Sequence, residues 1–199
     1  MKHLTPDAAV SKIKTTITLR SGRSFDYLNP AASDFTIKDI AHGLSNICRY
    51  NGHCREFYSV AQHSVLASRL APAAQRLAAL LHDGAEFTVF DCAKPLKNLL
   101  PDYRKIEERV EHAVLARFEI SMPLDPIIKE IDTNLLVTEQ RQLLKRRGGW
   151  GAPTKGKVLP IRIKPWSPKK AKRKFLERYY ELVNERHFTR ACASFSNEA

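Results

Sequence analysis

The chain has 199 residues, a net charge of +12 and 43% apolar residues. That is enough for one well-buried core, at a size that is usually a single domain. No apolar run approaches the roughly 20 residues that span a bilayer, and the start MKHLTPDAAVSKIK lacks the apolar stretch of a secretory signal. A cytoplasmic protein with no membrane partner is therefore expected. Four cysteines (Cys48, Cys54, Cys92 and Cys192) show no CxxC pair and no zinc-ribbon spacing, and read as reduced thiols.

In chain order, residues 1–14 read as a polar lead-in, 15–185 as one domain and 186–199 as a frayed tail. The alternating runs TTITLR and SFDYL flank Ser21-Gly22-Arg23 and predict a short hairpin. Asp34 or Thr36 can cap a helix through IKDIAHGLSNI, with Ile37, Ile40, Ala41 and Leu44 on one stripe. Ser59 can cap the next, which carries His63, Val65, Leu66 and Leu70. Pro72 opens AAQRLAALLHDGAEF, read as one helix buried through Leu77, Leu80 and Leu81. Gly84 inside it costs about 1 kcal/mol relative to Ala, so a close backbone approach or the site itself is expected to require it.

Pro101 starts YRKIEERVEHAVLARF, whose apolar face is Ile106, Val110, Val114 and Leu115, and Pro123 to Leu144 predicts a further helix. A Gly-rich loop (RRGGWGAPTKG), a short strand (VLPIRI) and a closing helix from Pro168, capped by Ser167, follow. The sum is an all-α helical bundle with a small β-hairpin appendage and no internal repeat.

The positive charge is uneven, with clusters in LLKRRGGW, TKGK and SPKKAKRKFLERYY. A solvated face accounts for most such clusters. Lys169, Lys170, Lys172 and Arg173 nevertheless crowd the positive end of a helix dipole, unfavourable by roughly a few tenths of a kcal/mol per charge. A polyanionic partner, nucleic acid or a nucleotide triphosphate, would offset that cost.

The chemistry concentrates in ALLHDGAEFT. Glu86 follows His82 by four residues and Asp83 by three, which on one helix puts all three on neighbouring faces. His63 in YSVAQHSVLASRL and Asp132 in IIKEIDTNLL complete two imidazoles and two carboxylates from three helices. Such a mixed N/O set suits Mn, Fe, Co, Ni or Zn and leaves positions open for water and substrate. Taken singly, His63 reads as a core histidine and Asp132 as a surface acid beside Lys129; the ordered set favours ligation. His42, His53, His112 and His187 lack such support, and His112 is expected to be exposed.

The pattern H…HD…D on successive helices resembles the HD-domain metal-dependent phosphohydrolases. Within them it is most similar to the bacterial 5′-deoxynucleotidases and the phage dATP triphosphohydrolases. The similarity runs from LNPAASDFTIKDIAHGLSNICRYNGHCREFYSVAQHS through HDGAEFTVFDCAKPLK to KEIDTNLLVTE. It implies a divalent metal ion (Zn, Co, Mn or Mg, more than one with a bound triphosphate) held by His63, His82, Asp83 and Asp132. Glu86 is then the general acid or base, orienting or deprotonating a polarised water. Arg49 in ICRYNG matches the arginine that faces the substrate, its fork suited to phosphate. Tyr50 falls at the nucleoside pocket, where the ring either stacks on a base or is a core tyrosine. Asp91 and Lys97 match a GD-x-P-x-P-x-K stretch, with Lys94 assisting; Phe90 replaces its Gly and Ala93 a common Pro. Homo-oligomerisation is implied by the same resemblance.

The function expected is metal-dependent hydrolysis of a phosphate ester in a small-molecule deoxynucleotide, with a dATP-type triphosphohydrolase preferred. A 5′-deoxynucleotidase acting on dNMPs is the alternative, and a nucleic-acid binder using the basic closing helix is the reading from another class. A GYP signature is absent and Phe87, not an acid, follows Glu86, which disfavours the signalling-nucleotide branches. GxxxxGK[ST] and GxGxxG are absent too.

Overall fold

A computed structural model describes residues 14–145 and 156–196, with side chains to residue 188. The lead-in apart from Lys14, the Gly-rich loop apart from Gly156, and the tail's side chains beyond residue 188, Cys192 included, lie outside the described residues. The alternating runs form an antiparallel hairpin, β1 (Thr16–Thr18) and β2 (Ser24–Asp26), with Ile17 opposite Phe25. Gly22 supplies the turn's positive φ of 85°, a conformation open to glycine without steric cost. Phe25 is fully buried, with ring centroids 5.7 Å from Phe35 and 5.3 Å from Phe87. Through this aromatic plug the hairpin is part of the bundle core.

Thr36, not Asp34, caps α1 (Ile37–Asn46), in a reciprocal box with Asp39 that satisfies two otherwise orphaned N–H groups. All four residues of its predicted stripe are buried. Gly43 on this helix lets Phe87 approach: a Cβ there would meet the Phe87 carbonyl oxygen at 2.6 Å. Ser59 caps α2 (Val60–Leu70) by accepting from the Gln62 N–H at 3.2 Å. The helix expected after Pro72 is instead divided. A 3-10 turn (Ala73–Gln75) leads into α3 (Arg76–Leu81), residues 82–85 form turns, and α4 (Glu86–Val89) follows. In the break Gly84 N donates to Leu81 O at 2.8 Å and Glu86 N to Asp83 O at 3.1 Å, the tighter three-residue spacing. His82, Asp83 and Glu86 therefore do not share one α-helix.

The short α5 (Lys94–Lys97) precedes α6 (Pro101–Arg117), which buries Val110, Val114 and Leu115. Helix α7 (Pro126–Leu143) starts three residues later than predicted, where Asp125 accepts from Ile127 N at 2.9 Å and Pro126 takes the first helical position. The predicted strand VLPIRI is not a strand. Its backbone groups instead meet helix side chains: Leu159 N donates to Thr138 Oγ1 at 2.9 Å, and Ile163 N to Gln142 Oε1 at 2.9 Å. Lys157 N donates to Asn134 Oδ1 at 2.7 Å. Asn134, Thr138 and Gln142 recur every four residues, so one face of α7 substitutes for a partner strand. The closing helix α8 (Pro168–Ser196) inserts Ala171, Phe175 and Leu182 into the main core, and Ser167 Oγ accepts from Lys170 N at 3.4 Å at its start. No described helix is long and apolar enough to cross a membrane.

Candidate metal centre

Three elements meet at one point: α2 brings His63, the turn after α3 brings His82 and Asp83, and α7 brings Asp132. His63, His82 and Asp132 each offer a ligand atom, all within 4.8 Å of one another. His63 Nε2 lies 3.4 Å from His82 Nε2 and 3.4 Å from Asp132 Oδ1. Asp83 presents Oδ2 to the same two nitrogens, at 3.4 Å from His63 and 3.3 Å from His82. The opposite ring nitrogens are engaged elsewhere. His82 Nδ1 lies 2.9 Å from Ala79 O, and His63 Nδ1 lies 2.6 Å from Glu139 Oε1. A carbonyl accepts only, so the His82 Nδ1 carries the proton and its Nε2 lone pair faces the cluster. Two imidazole nitrogens and a carboxylate aimed at one volume suit a divalent transition metal, and the residues present fit one.

Glu139 was not among the predicted residues, and it is fully buried. Four donors converge on it: His63 Nδ1 at 2.6 Å and Tyr58 hydroxyl at 2.8 Å on Oε1, Tyr50 hydroxyl at 2.9 Å and Arg49 Nε at 3.1 Å on Oε2. Burial opposes its ionisation, but Arg49, His63 and these bonds outweigh it and hold the pKa at about 2. Burial and Arg49 likewise oppose charging of His63, and the Glu139 and Asp132 carboxylates prevail, raising it to about 9. Asp132 is held well below the usual carboxylate range: burial is overcome by His63, His82 and Lys129, whose Nζ lies 2.6 Å from Oδ2. Lys129 thus flanks Asp132 as read from the sequence, while the other oxygen faces His63. The signal for Glu139 was its place seven residues, two helical turns, after Asp132 on one face of α7.

Glu86 is buried within the electrostatic reach of Asp83 and Asp91, and its Oε2 has no hydrogen-bond partner. Burial, then the Asp83 and Asp91 carboxylates, push its pKa well up. Arg49 is buried, with Nη1 at 3.5 Å from Asp83 and 3.8 Å from Asp91. Tyr50 directs its hydroxyl to Glu139 and adopts φ 56°, next to Asn51 at φ 51°, within the turn Arg49–Gly52. Lys97 is half-buried and pairs with Glu107 at 2.6 Å, whereas Lys94 is exposed on α5. Phe90, at the position where the resembled stretch has glycine, takes φ 57° and is exposed. His112 is exposed.

The fold and site define a mainly helical protein with a largely buried His/His/Asp cluster that could hold a metal ion, consistent with a metal-dependent enzyme. The chain is 37% identical over 166 residues to the uncharacterized protein YfdR of Escherichia coli K12, spanning 81% of this chain and 92% of that one. It is 34% identical over 184 residues to the uncharacterized protein RCAP_rcc00048 of Rhodobacter capsulatus, spanning 82% of this chain and 93% of that one. The chain belongs to the family these two proteins represent. No protein-family model matches it.

Proposed function

We propose that the protein is a metal-dependent phosphohydrolase of the HD-domain type acting on deoxynucleotides, with residues 15–185 as its single domain. The preferred substrate is a dNTP, dATP first, cut at the 5′ ester; dNMP hydrolysis is the alternative. The observation that carries this reading is the convergence of the His63 and His82 Nε2 atoms with Asp132, together with a buried Glu86 oxygen that no protein group satisfies. Unpartnered buried polar atoms are rare and demand an occupant, such as water or substrate. Asp83, against both imidazoles, is assigned as the fourth ligand.

The chemistry a divalent cation supplies at such donors is polarisation of a phosphoryl oxygen and activation of water. Glu86 is the group free to hold or move a proton, since its Oε2 has no protein partner. Arg49 contributes a planar fork of donors suited to phosphate, already oriented by Glu139 and Asp91. Lys97, Asp91 and the Tyr50 ring are assigned to the substrate side in this reading. Homo-oligomerisation belongs to the same proposal. The basic start of α8 is partly compensated: Glu177 pairs with Arg173 at 3.2 Å and Lys174 at 2.7 Å.

A product assay tests this reading. The protein is incubated with each dNTP and dNMP plus Co, Mn, Mg or Zn, and phosphate, triphosphate, nucleoside and nucleotides are separated. Deoxynucleoside with inorganic triphosphate is the expected result. Turnover of dNMPs alone selects the nucleotidase, and turnover of neither by metal-loaded protein overturns the substrate assignment.

A further inference from the structure

We infer that Glu139 is a positioning residue that couples the metal ligand His63 to the Arg49–Tyr50 arm; the inference rests on the metal-site part of the proposed function. A carboxylate has about four lone-pair sites, and four donors occupy them. His63 Nδ1 and the Tyr58 hydroxyl take Oε1; the Tyr50 hydroxyl and Arg49 Nε take Oε2. Arg49 Nε can only donate, and with the two tyrosine hydroxyls it leaves Oε1 a site that accepts the Nδ1–H of His63, which turns Nε2 toward His82 and Asp132. One oxygen thereby sets the tautomer and ring plane of a ligand.

The other oxygen holds the arm. Tyr50 sits at φ 56°, a conformation costly for a bulky side chain and retained only where the surroundings over-determine it, while Asn51 at φ 51° is a residue type that tolerates it. The Tyr50 hydroxyl bond to Glu139, reinforced by Arg49 Nε on the same oxygen, supplies that determination across 89 and 90 residues of chain. Arg49 Nη1 is left to face Asp83 and Asp91. Helix α7 carries both Asp132 and Glu139, so a single helix aligns a ligand, a ligand's orienting group and Arg49.

The test uses the full chain, with Co(II) alone as probe and no nucleotide, so that this inference and the substrate reading fail separately. Glu139→Gln replaces one acceptor oxygen by a donor amide facing donors. Co(II) titration followed by visible absorption is expected to show a Kd raised about 10–100-fold, with altered ligand-field bands. Two-bond proton–nitrogen spectra of the Zn(II)-loaded wild type are expected to show His63 protonated at Nδ1 and metal-bound through Nε2. The spectra stand whether or not the variant folds. Wild-type Co(II) affinity and bands in folded Glu139→Gln, or a wild-type His63 bound through Nδ1, overturns the role of Glu139. Failure of the wild type to bind Co(II) overturns the metal site and this inference together.

Discussion

Glu86 and Glu139 are both buried acids that feel the charge of Arg49, and their surroundings give them opposite characters. Glu139 receives four hydrogen bonds and stays ionised, while Glu86 Oε2 receives none and faces the negative Asp83 and Asp91. The first suits an orienting group and the second a proton carrier. Glu86→Gln is expected to lower single-turnover hydrolysis by about 10²–10⁴-fold while leaving Co(II) affinity and the far-ultraviolet circular dichroism as in the wild type. Unchanged turnover in that variant removes Glu86 from the chemistry. Phe90 marks a different residue-scale feature. Its φ of 57° falls where an L side chain is disfavoured, and the Tyr103 hydroxyl, 2.9 Å from Val89 O, pins the adjoining backbone.

Among the elements, the break between α3 and α4 presents His82 and Asp83 from a turn rather than a helix face. Gly84 makes the break fit, because a Cβ there would lie 2.8 Å from both Leu81 O and Val114 Cγ1. Gly84→Ala is expected to cost about 1–3 kcal/mol by overpacking, read as a lower denaturant midpoint at unchanged slope; a neutral result means α6 can yield. At the start of α1, Asp39 bonds Thr36 and also accepts from Ser21 N at 3.2 Å, tying the hairpin turn to the helix. Burial would raise the Asp39 pKa, but the Thr36 and Ser21 bonds hold it below the ordinary carboxylate value. A depressed folded pKa means its stabilisation is present above the unfolded pKa of about 3.9 and is lost as pH falls through the folded value. Asp39→Asn is expected to flatten that acidic part of the stability curve, and to cost roughly 1 kcal/mol at pH 7 through the weakened cap. A curve parallel to the wild type would contradict the sign.

At the scale of the molecule, the candidate ligands come from α2, the turn after α3, and α7, so ligation would staple together segments that are 19 to 69 residues apart. A metal that binds the folded chain and not the unfolded one stabilises it by about 2.7 kcal/mol at a hundred times Kd. For a chain of this size each kcal/mol shifts Tm by roughly 2–4 °C. Calorimetry with excess Co(II) or Zn(II) is therefore expected to show a rise of about 5–10 °C, reversed by a chelator. An unmoved Tm argues against a preformed site.

Helix periodicity, Pro and Ser/Thr caps and the hairpin's alternation are local properties, and so the bundle, the caps at Thr36 and Ser59 and the hairpin itself, though not its register, were legible in the sequence. His63, His82 and Asp132 were legible too, because a metal site demands particular donor types whose order along the chain can be recognised. Tertiary structure alone decided the rest. Glu139 shares a face of α7 with Asp132, but nothing local names its partners: Arg49, Tyr50, Tyr58 and His63 reach it from 76 to 90 residues away. VLPIRI has strand composition, yet Asn134, Thr138 and Gln142 satisfied its backbone first. The helix through HDGAEF was divided where α6 packs against Gly84. In each case the deciding energy lies in satisfying or packing a buried group against a distant partner, and such partners carry no periodicity in the chain.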